Sequence, residues 1–218
     1  MARLVDASDR AVLVVFDDTM TPAAGRDVRL LEAWLREEPP VGIVDLNPAY
    51  ASLLVRYDPL RCSPEALSRE ILRRVESLAR RAEPEPRSFE IPVVYGGASG
   101  PDLQAVAREV GLSAEAFVLA HAAASYEVRF IGFSPGFPYL AGLPERLHTA
   151  RKSAPRACVP AGSVAIAGAQ AGIYPVTSPG GWNLIGRTDF VLFDPNRARA
   201  ATLAAGDRVR FRAAGGGS

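Results

Sequence analysis

The sequence predicts an α+β protein in two parts, a small unit of helices packed on a sheet followed by a closed or rolled antiparallel β-barrel. Three observations predict it. In the first third, apolar residues recur at helical spacing in two stretches, each beside short β-branched runs. Glu83-Pro-Glu-Pro-Arg87 then interrupts the pattern with two prolines and three charges. Between Gly132 and Arg187 lie nine of the nineteen glycines and seven of the eighteen prolines. Glycine opens backbone conformations that a β-carbon forbids, and proline removes a donor and fixes φ, so this density excludes long helices and leaves short strands and tight turns. The expected domains are residues 1–86 and 87–214, with Gly215–Ser218 a tail too small and polar to pack.

The elements follow in order. Ala11–Phe16 is rich in β-branched residues and reads as a strand. Thr21 then offers a cap and Pro22 a first helical position, and Val28, Leu31 and Leu35 keep helical spacing until Pro39-Pro40. Val41–Asp45 and Ala51–Tyr57 read as strands joined at Asn47-Pro48. Ser63-Pro64-Glu65 supplies cap, proline and acid for a helix whose Leu67, Ile71, Val75 and Leu78 form one apolar stripe. Phe89–Tyr95 is a further strand. If it pairs back, the first unit has the β-α-β-β-α-β, ferredoxin-like order; if it opens the second domain, the first has three strands and two helices. Two short helices are expected over 101–110 and 113–123, the second capped by Ser113. Tyr126–Phe133, Ser163–Ala167, Phe190–Phe193 and Arg208–Arg212 complete the strands, with Trp182–Arg187 a further one.

Composition excludes several classes of function. The 218 residues carry 25 basic and 24 acidic side chains, so no global positive field draws the chain to nucleic acid. No apolar run reaches the length of about 18 residues that spans a bilayer. Two cysteines and an N-terminus without a basic region ahead of an apolar run predict a cytoplasmic protein with reduced thiols. The two histidines and few thiols show no metal-ligand spacing, so no metal is expected in this chain.

Several residues could carry chemistry. Gly132-Phe-Ser-Pro-Gly136 matches the nucleophile elbow G-x-S-x-G, but the residue after the serine must donate its N–H to an oxyanion, and Pro135 has none. Gly96–Gly100 reads better as a tight turn than as a phosphate cradle, since it lacks the ending of a P-loop. His121 ends a predicted helix, where a protonated imidazole suits the dipole, and an acid or base role is equally open. His148 lies in the basic run Arg146–Lys152, a solvated loop or an anion site. Arg156 is stiffened between Pro155 and Val159-Pro160. Cys158 has no histidine or acid partner nearby and reads as a small buried residue. Tyr174 and Trp182 fit core packing or a pocket wall. Arg187 is paired with an acid such as Asp189 or aimed at a carboxylate or phosphate.

Three motifs, GFSPGFPYLAGLP (132 to 144), VPAGSVAIAGAQAGIYP (159 to 175) and SPGGWNLIGRT (178 to 188), closely resemble the family of the B-type subunit of bacterial 5-oxoprolinase. That family is also known as KipI-like proteins or allophanate hydrolase subunit 1, and is related to a carboxyltransferase portion of urea carboxylases. NPAYASLLVRYDPLRCSPEAL (47 to 67), IPVVYGG (91 to 97), GPDLQAVAREVGLS (100 to 113), and His121 followed by Tyr126 extend the resemblance over nearly the full chain. The resemblance implies a cyclophilin-like barrel for the second domain. It implies partners too: a second cyclophilin-like subunit (the C-type, KipA-like one) and a third, barrel-type subunit, which together cleave 5-oxoproline to glutamate using ATP. Some members instead bind and inhibit a sporulation histidine kinase. Carried over residue by residue, it implies catalytic roles for His121, Arg187 and Tyr174, and a substrate pocket of Phe133, Pro135, Gly136, Phe137, Arg156, Gly162, Gln170, Ser178 and Trp182. This chain departs from the family pattern in having Ala150 and Asp189 where proline is usual and Ala171 where threonine is usual. Loss of a pocket hydroxyl at Ala171 and neutralisation of Arg187 by Asp189 are the expected consequences.

Overall fold

The computed structural model describes residues 2–83 and 85–215, so most of the tail expected at 215–218 lies outside the described residues. The chain divides into two compact units, Met1–Glu85 and Pro86–Ser218.

In the first unit the alternation in Val12 and Val14, and in Leu53 and Val55, puts one apolar face of a sheet against two amphipathic helices. The elements are β1 (Arg3–Ser8), β2 (Ala11–Val15), α1 (Pro22–Glu37), β3 (Ile43–Pro48), β4 (Ser52–Tyr57) and α2 (Pro64–Ser77). The sheet runs β1-β2-β4-β3, with every neighbouring pair antiparallel. Val28, Leu31 and Leu35 of α1 and Leu67 and Ile71 of α2 fill the core. Both helices start where the hydroxyl caps require. Thr21 Oγ1 accepts from the Ala24 N–H at 3.2 Å and Ser63 Oγ from the Ala66 N–H at 3.2 Å, each worth about 1 kcal/mol. The α+β class holds, but the connection order is β-β-α-β-β-α. An edge strand, β1, precedes the first expected one. The strand that would have closed the ferredoxin-like order belongs to the second unit.

That strand is β5 (Ser88–Tyr95), and after it come α3 (Leu103–Glu109), α4 (Ala114–Ala123), β6 (Tyr126–Ile131), β7 (Pro138–Ala141), β8 (Arg156–Val159), β9 (Ser163–Ala167), β10 (Gln170–Ile173), β11 (Ser178–Gly180), β12 (Asn183–Arg187) and β13 (Arg208–Ala213). Seven strands close a barrel in the order β10-β7-β6-β13-β5-β12-β9, and β8 and β11 form a separate two-stranded ribbon. All barrel pairings are antiparallel except one. The first and last strands, β5 and β13, run parallel over Ser88–Val93, so the barrel is not wholly antiparallel as expected. Phe190–Phe193 is not a strand. It makes one bridge, Phe193 to Ala201, and its backbone is satisfied by Thr202, whose N–H donates to Leu192 O and whose hydroxyl donates to Val191 O.

The barrel packs on both faces. Val128, Leu140, Val164, Ile166, Ile173, Ile185, Val209 and Phe211 share an inner core with Leu103, Val106 and Phe117 of the two helices. On the other face Ala165 and Ala167 of β9 and Leu184 of β12 lie under a second cluster of Phe137, Val159, Tyr174 and Trp182. All five residues of β9 are therefore buried.

The turn after β5 is pressed onto β12. Gly96 N–H donates to Ile185 O at 3.1 Å and Asp102 N–H to Leu184 O at 3.0 Å. A β-carbon on Gly100 would lie 2.1 Å from the Ile185 carbonyl oxygen, a backbone atom that cannot move aside. Gly100→Ala is therefore expected to cost about 2 kcal/mol or more in urea denaturation, the range of an overpacked core. Gly97→Ala, where the new carbon meets nothing within 4 Å and only the positive φ of 53° is strained, is expected to cost about 1 kcal/mol. Equal losses at the two positions would contradict the close approach.

Candidate functional site

The outer face of the barrel carries the candidate site, and its most unusual feature is local. Between β6 and β7 the Ser134 N–H donates to Gly132 O at 2.7 Å across Phe133, whose φ is +65°. A γ-turn with a positive φ is rare and strained, and Phe133 is the one non-glycine residue at positive φ among the described residues. The next turn fixes it. Phe137 N–H donates to Ser134 O at 3.0 Å, with Pro135 and Gly136 (φ +84°) in the two central positions of a type II turn, and Gly132 N–H closes the loop on Phe137 O at 3.1 Å. These hydrogen bonds hold Phe133, 62% exposed, beside buried rings.

Those rings form an edge-to-face wall. Phe133 lies 5.4 Å from Phe137 and 6.2 Å from Tyr174, Phe137 lies 5.2 Å from Tyr174 and 5.6 Å from Trp182, and Tyr139 lies 5.8 Å from Trp182. Two glycines make room. A β-carbon on Gly172 would meet the Phe137 ring at 2.7 Å, and one on Gly180 the Tyr174 hydroxyl at 2.2 Å. Burial pushes the Tyr174 phenol above its ordinary range, partly offset by the Trp182 backbone N–H and by the nearby Arg151 and Arg156. It stays protonated at neutral pH, so it carries a proton to donate and no charge with which to act as a base.

A charged cluster adjoins the wall. Arg156 on β8 lies opposite Gly180 on β11. Its Nη2 donates to Asp102 Oδ1 at 2.7 Å, Lys152 Nζ donates to the same oxygen at 3.0 Å, and the Leu184 N–H donates to Asp102 Oδ2 at 2.8 Å. Arg151 stands over the Trp182 ring at 5.8 Å, held there because Lys152 N–H donates to Gly181 O and Asn183 Nδ2 to Ala150 O. Three polar atoms in this region, Arg156 Nη1, Ser178 Oγ and Ser134 Oγ, are buried without a hydrogen-bond partner. Orphaned polar atoms inside a protein are costly, and these three are donors and acceptors that the fold itself leaves unspent.

The structure brings most of the expected pocket residues together. Phe133, Pro135, Gly136, Phe137, Tyr174 and Trp182 make the wall and its loop, and Arg156 and Ser178 lie on the ribbon beside it. Gln170 is half-buried opposite Ala167 on the same outer face. Gly162 N–H donates to Tyr174 O, and a β-carbon on Gly162 would lie 3.5 Å from Arg187 Cγ, so Arg187 adjoins the wall through the Tyr174 main chain. Arg187 is exposed at the end of β12, and it forms no ion pair with Asp189 or another acid among the described residues. Ala171 points into the barrel interior, so the hydroxyl missing there is not missing from this face.

His121 is the main correction. It is wholly buried, with Nδ1 2.8 Å from the Tyr95 hydroxyl and its ring stacked on Phe211 at 4.8 Å, within the inner core and apart from the aromatic wall. Desolvation drives its pKa down to about 3. A group that neither reaches solvent nor touches the wall cannot shuttle a proton there. Cys158 also departs from expectation. It is exposed, because on β8 only Val159 turns inward. His148 is tied to Leu143 O at 3.0 Å, a structural contact. Asp102 was not legible as part of the site. An aspartate just ahead of a helix reads as a cap, and nothing local signals partners 50 to 82 residues away. Among the described residues no group of three or more acids, cysteines or histidines could hold a metal ion, and no helix is long and apolar enough to cross a membrane.

Residues 2–203 match the family model of the carboxyltransferase domain, subdomain C and D. The chain is 43% identical over 213 residues to the B-type subunit of 5-oxoprolinase from Escherichia coli O157:H7, covering 96% of this chain and 95% of that protein. It is 40% identical over 213 residues to the B-type subunit of 5-oxoprolinase from Bacillus subtilis (strain 168), covering 93% and 89%. Among solved structures it is similar to TTHA0988, with a TM-score of 0.82 and 42% identity over 95% of this chain. It spans only 40% of that longer chain.

Two outcomes check the local physics. At Phe133 the usual order of stability should reverse, with Phe133→Gly more stable than Phe133→Ala by about 1 kcal/mol, because only glycine relieves a positive φ. The opposite order in urea denaturation would remove the strain. His121 binds its proton in the unfolded chain near its ordinary 6.5 but not in the folded one until about pH 3. Stability present above pH 6.5 is therefore expected to fall as pH drops through that window, by up to about 1.4 kcal/mol per pH unit. A His121→Phe variant should show a correspondingly shallower fall in denaturation midpoints, and an unchanged slope would contradict the buried neutral imidazole.

Proposed function

This chain belongs to the family of the carboxyltransferase domain, subdomain C and D, together with the B-type subunits of 5-oxoprolinase, and from that membership we propose that it is a non-autonomous subunit of an ATP-dependent 5-oxoprolinase that cleaves 5-oxo-L-proline to L-glutamate. The observation that carries the reading is the meeting of an aromatic wall with a guanidinium whose second terminal nitrogen is unspent. A small flat lactam bearing a carboxylate matches both. Its ring can lie against the exposed Phe133, which Phe137 and Tyr174 back, its carboxylate can meet Arg156, and the Tyr174 hydroxyl and Ser178 can donate to oxygen.

The lactam amide is resonance-stabilised, and ATP in the assembled enzyme would activate its carbonyl for attack by water. The one glycine-rich turn of this chain does not fit the nucleotide. The glycine-rich turn ahead of α3, Gly96–Gly100, has its Gly96 N–H on Ile185 O and its Gly100 N–H on Gly96 O, so those amides are already used within the fold. In the proposal ATP therefore sits on a partner. The partners are a second cyclophilin-like subunit and a barrel-type third subunit, and the longer chain of TTHA0988, of which this one matches 40%, supports assembly with further parts. The chain's role is to hold the lactam, exclude water from its ring face and orient its carboxylate.

The chain is to be purified alone and with both partner subunits and assayed for 5-oxoproline-dependent ATP hydrolysis. Turnover is expected only in the assembly. Arg156→Ala should lower kcat/KM about 100-fold, the cost of removing one partner from a desolvated charged contact. Arg187→Ala, at an exposed residue without a fixed partner, should lower it less. No turnover in a properly assembled complex would sink the enzyme reading and leave the chain as a regulator that binds a histidine kinase.

A further inference from the structure

Asp102 occupies the position of a helix cap, directly before α3, yet its carboxylate makes no capping bond. It is 6% exposed and turns toward β8 and β12. One oxygen accepts from Leu184 N–H, the other from both Arg156 Nη2 and Lys152 Nζ. Burial raises its pKa, but Arg156, the Leu184 N–H and Lys152 together outweigh that and hold it below the usual carboxylate range, so it is ionised at neutral pH. One anion balances two cations, and the cluster keeps a net charge of +1.

The grip on Arg156 is one-sided. Asp102 takes Nη2, while Nη1 is buried without a partner. The main chain of Arg156 is fixed opposite Gly180, whose missing side chain admits the Tyr174 hydroxyl. The guanidinium is thus held at both ends relative to the wall, with one donor edge unspent and excess positive charge behind it. A guanidinium in that state binds carboxylate well, because its fork is already oriented and little side-chain freedom remains to be lost.

We propose that Asp102 is a positioning residue: it orients Arg156 so that the free Nη1 edge, backed by Lys152, receives the carboxylate of the ring substrate. The proposal rests on the 5-oxoprolinase reading of the site. Two plainer roles compete with it. Asp102 could serve the fold alone, by tying the turn to β12 through Leu184, or it could merely balance charge.

Asp102→Asn separates the three, since an asparagine oxygen still accepts from Leu184 N–H while the charge that grips Arg156 is gone. In the assembled enzyme, positioning predicts that KM for 5-oxoproline rises about 10-fold or more while kcat changes much less. Arg156→Ala should raise it at least as far, and the double variant should be no worse than Arg156→Ala alone, because both remove one device. A fold-only role predicts unchanged KM in Asp102→Asn, and charge balance predicts a lower KM, since the extra positive charge attracts the anion. Either result overturns the proposal. Should Asp102→Asn fail to fold, Arg156→Lys is the substitute. Lysine can meet Asp102 or the substrate but cannot span both, so an unchanged KM there also overturns it.

A calorimetric arm does not depend on turnover. The wild-type chain alone is titrated with 5-oxoproline and with pyrrolidin-2-one, the same ring without a carboxylate. The expected result is at least about 10-fold tighter binding of 5-oxoproline, lost in Asp102→Asn, as removal of a charged contact predicts. Equal affinities, or no binding of either, overturn the carboxylate site. Absence of turnover in the assembled wild type with the 10-fold preference intact would instead remove the enzymatic reading and leave the site standing.

Discussion

Everything at the candidate site depends on small residues on the outer face of a closed barrel. Ala165 and Ala167 on β9 and Gly172 on β10 present almost no side chain there, and the rings of Phe137, Tyr174 and Trp182 occupy the space. Large residues at those positions would fill the face themselves. The inner face behaves differently, with Val164, Ile166 and Ile173 as bulk. One strand thus alternates small outward and branched inward, and the period of two that builds the barrel also builds the platform for the wall.

The wall in turn stabilises a loop that local preference opposes. A phenylalanine at φ +65° costs about 1–2 kcal/mol, and such a conformation persists only where the surroundings over-determine it. Here they do so through three backbone hydrogen bonds between Gly132 and Phe137, and through the contact of Phe133 with two buried rings. The result is an exposed aromatic whose direction is set before any ligand arrives. Pre-set direction is what a binding surface gains from strain, because ordering a loop at the moment of binding would subtract from affinity.

Sequence reasoning succeeds where the physics is local. Thr21, Ser63 and Ser113 each bond the backbone N–H three residues on, so a capping hydroxyl marked the start of three helices, two of them followed by an apolar stripe. β9 was legible because its ends are marked by Gly162 and Gly168. β1 was not, since an edge strand exposed along nearly its whole length shows no clean alternation. The parallel β5–β13 pair was hidden for another reason. Its partners lie 120 residues apart, as Arg208 and Ser88 do, and no local pattern records a pairing at that distance. His121 shows the converse failure. At the sequence level a histidine near a helix end invites an acid–base role, whereas the packing of Tyr95, Tyr126 and Phe211 around it is a tertiary fact.

The same distinction orders the two arginines of the site. Arg187 ends a strand that follows the Pro179-Gly180-Gly181 turn, but it is exposed and forms no ion pair among the described residues, so binding through it must first immobilise a long side chain. Arg156 has already been immobilised. Asp102, which fixes it, and Lys152 and Leu184, which hold Asp102, lie on three segments that meet only when the barrel is closed. The cost of ordering the guanidinium is therefore met by folding and not by binding. A site assembled from such distant contacts cannot exist in a fragment of the barrel, because β5 ahead of Asp102 and β13 at the far end must pair before the sheet is complete. Closure of the fold and orientation of the Arg156 guanidinium are in this way one event.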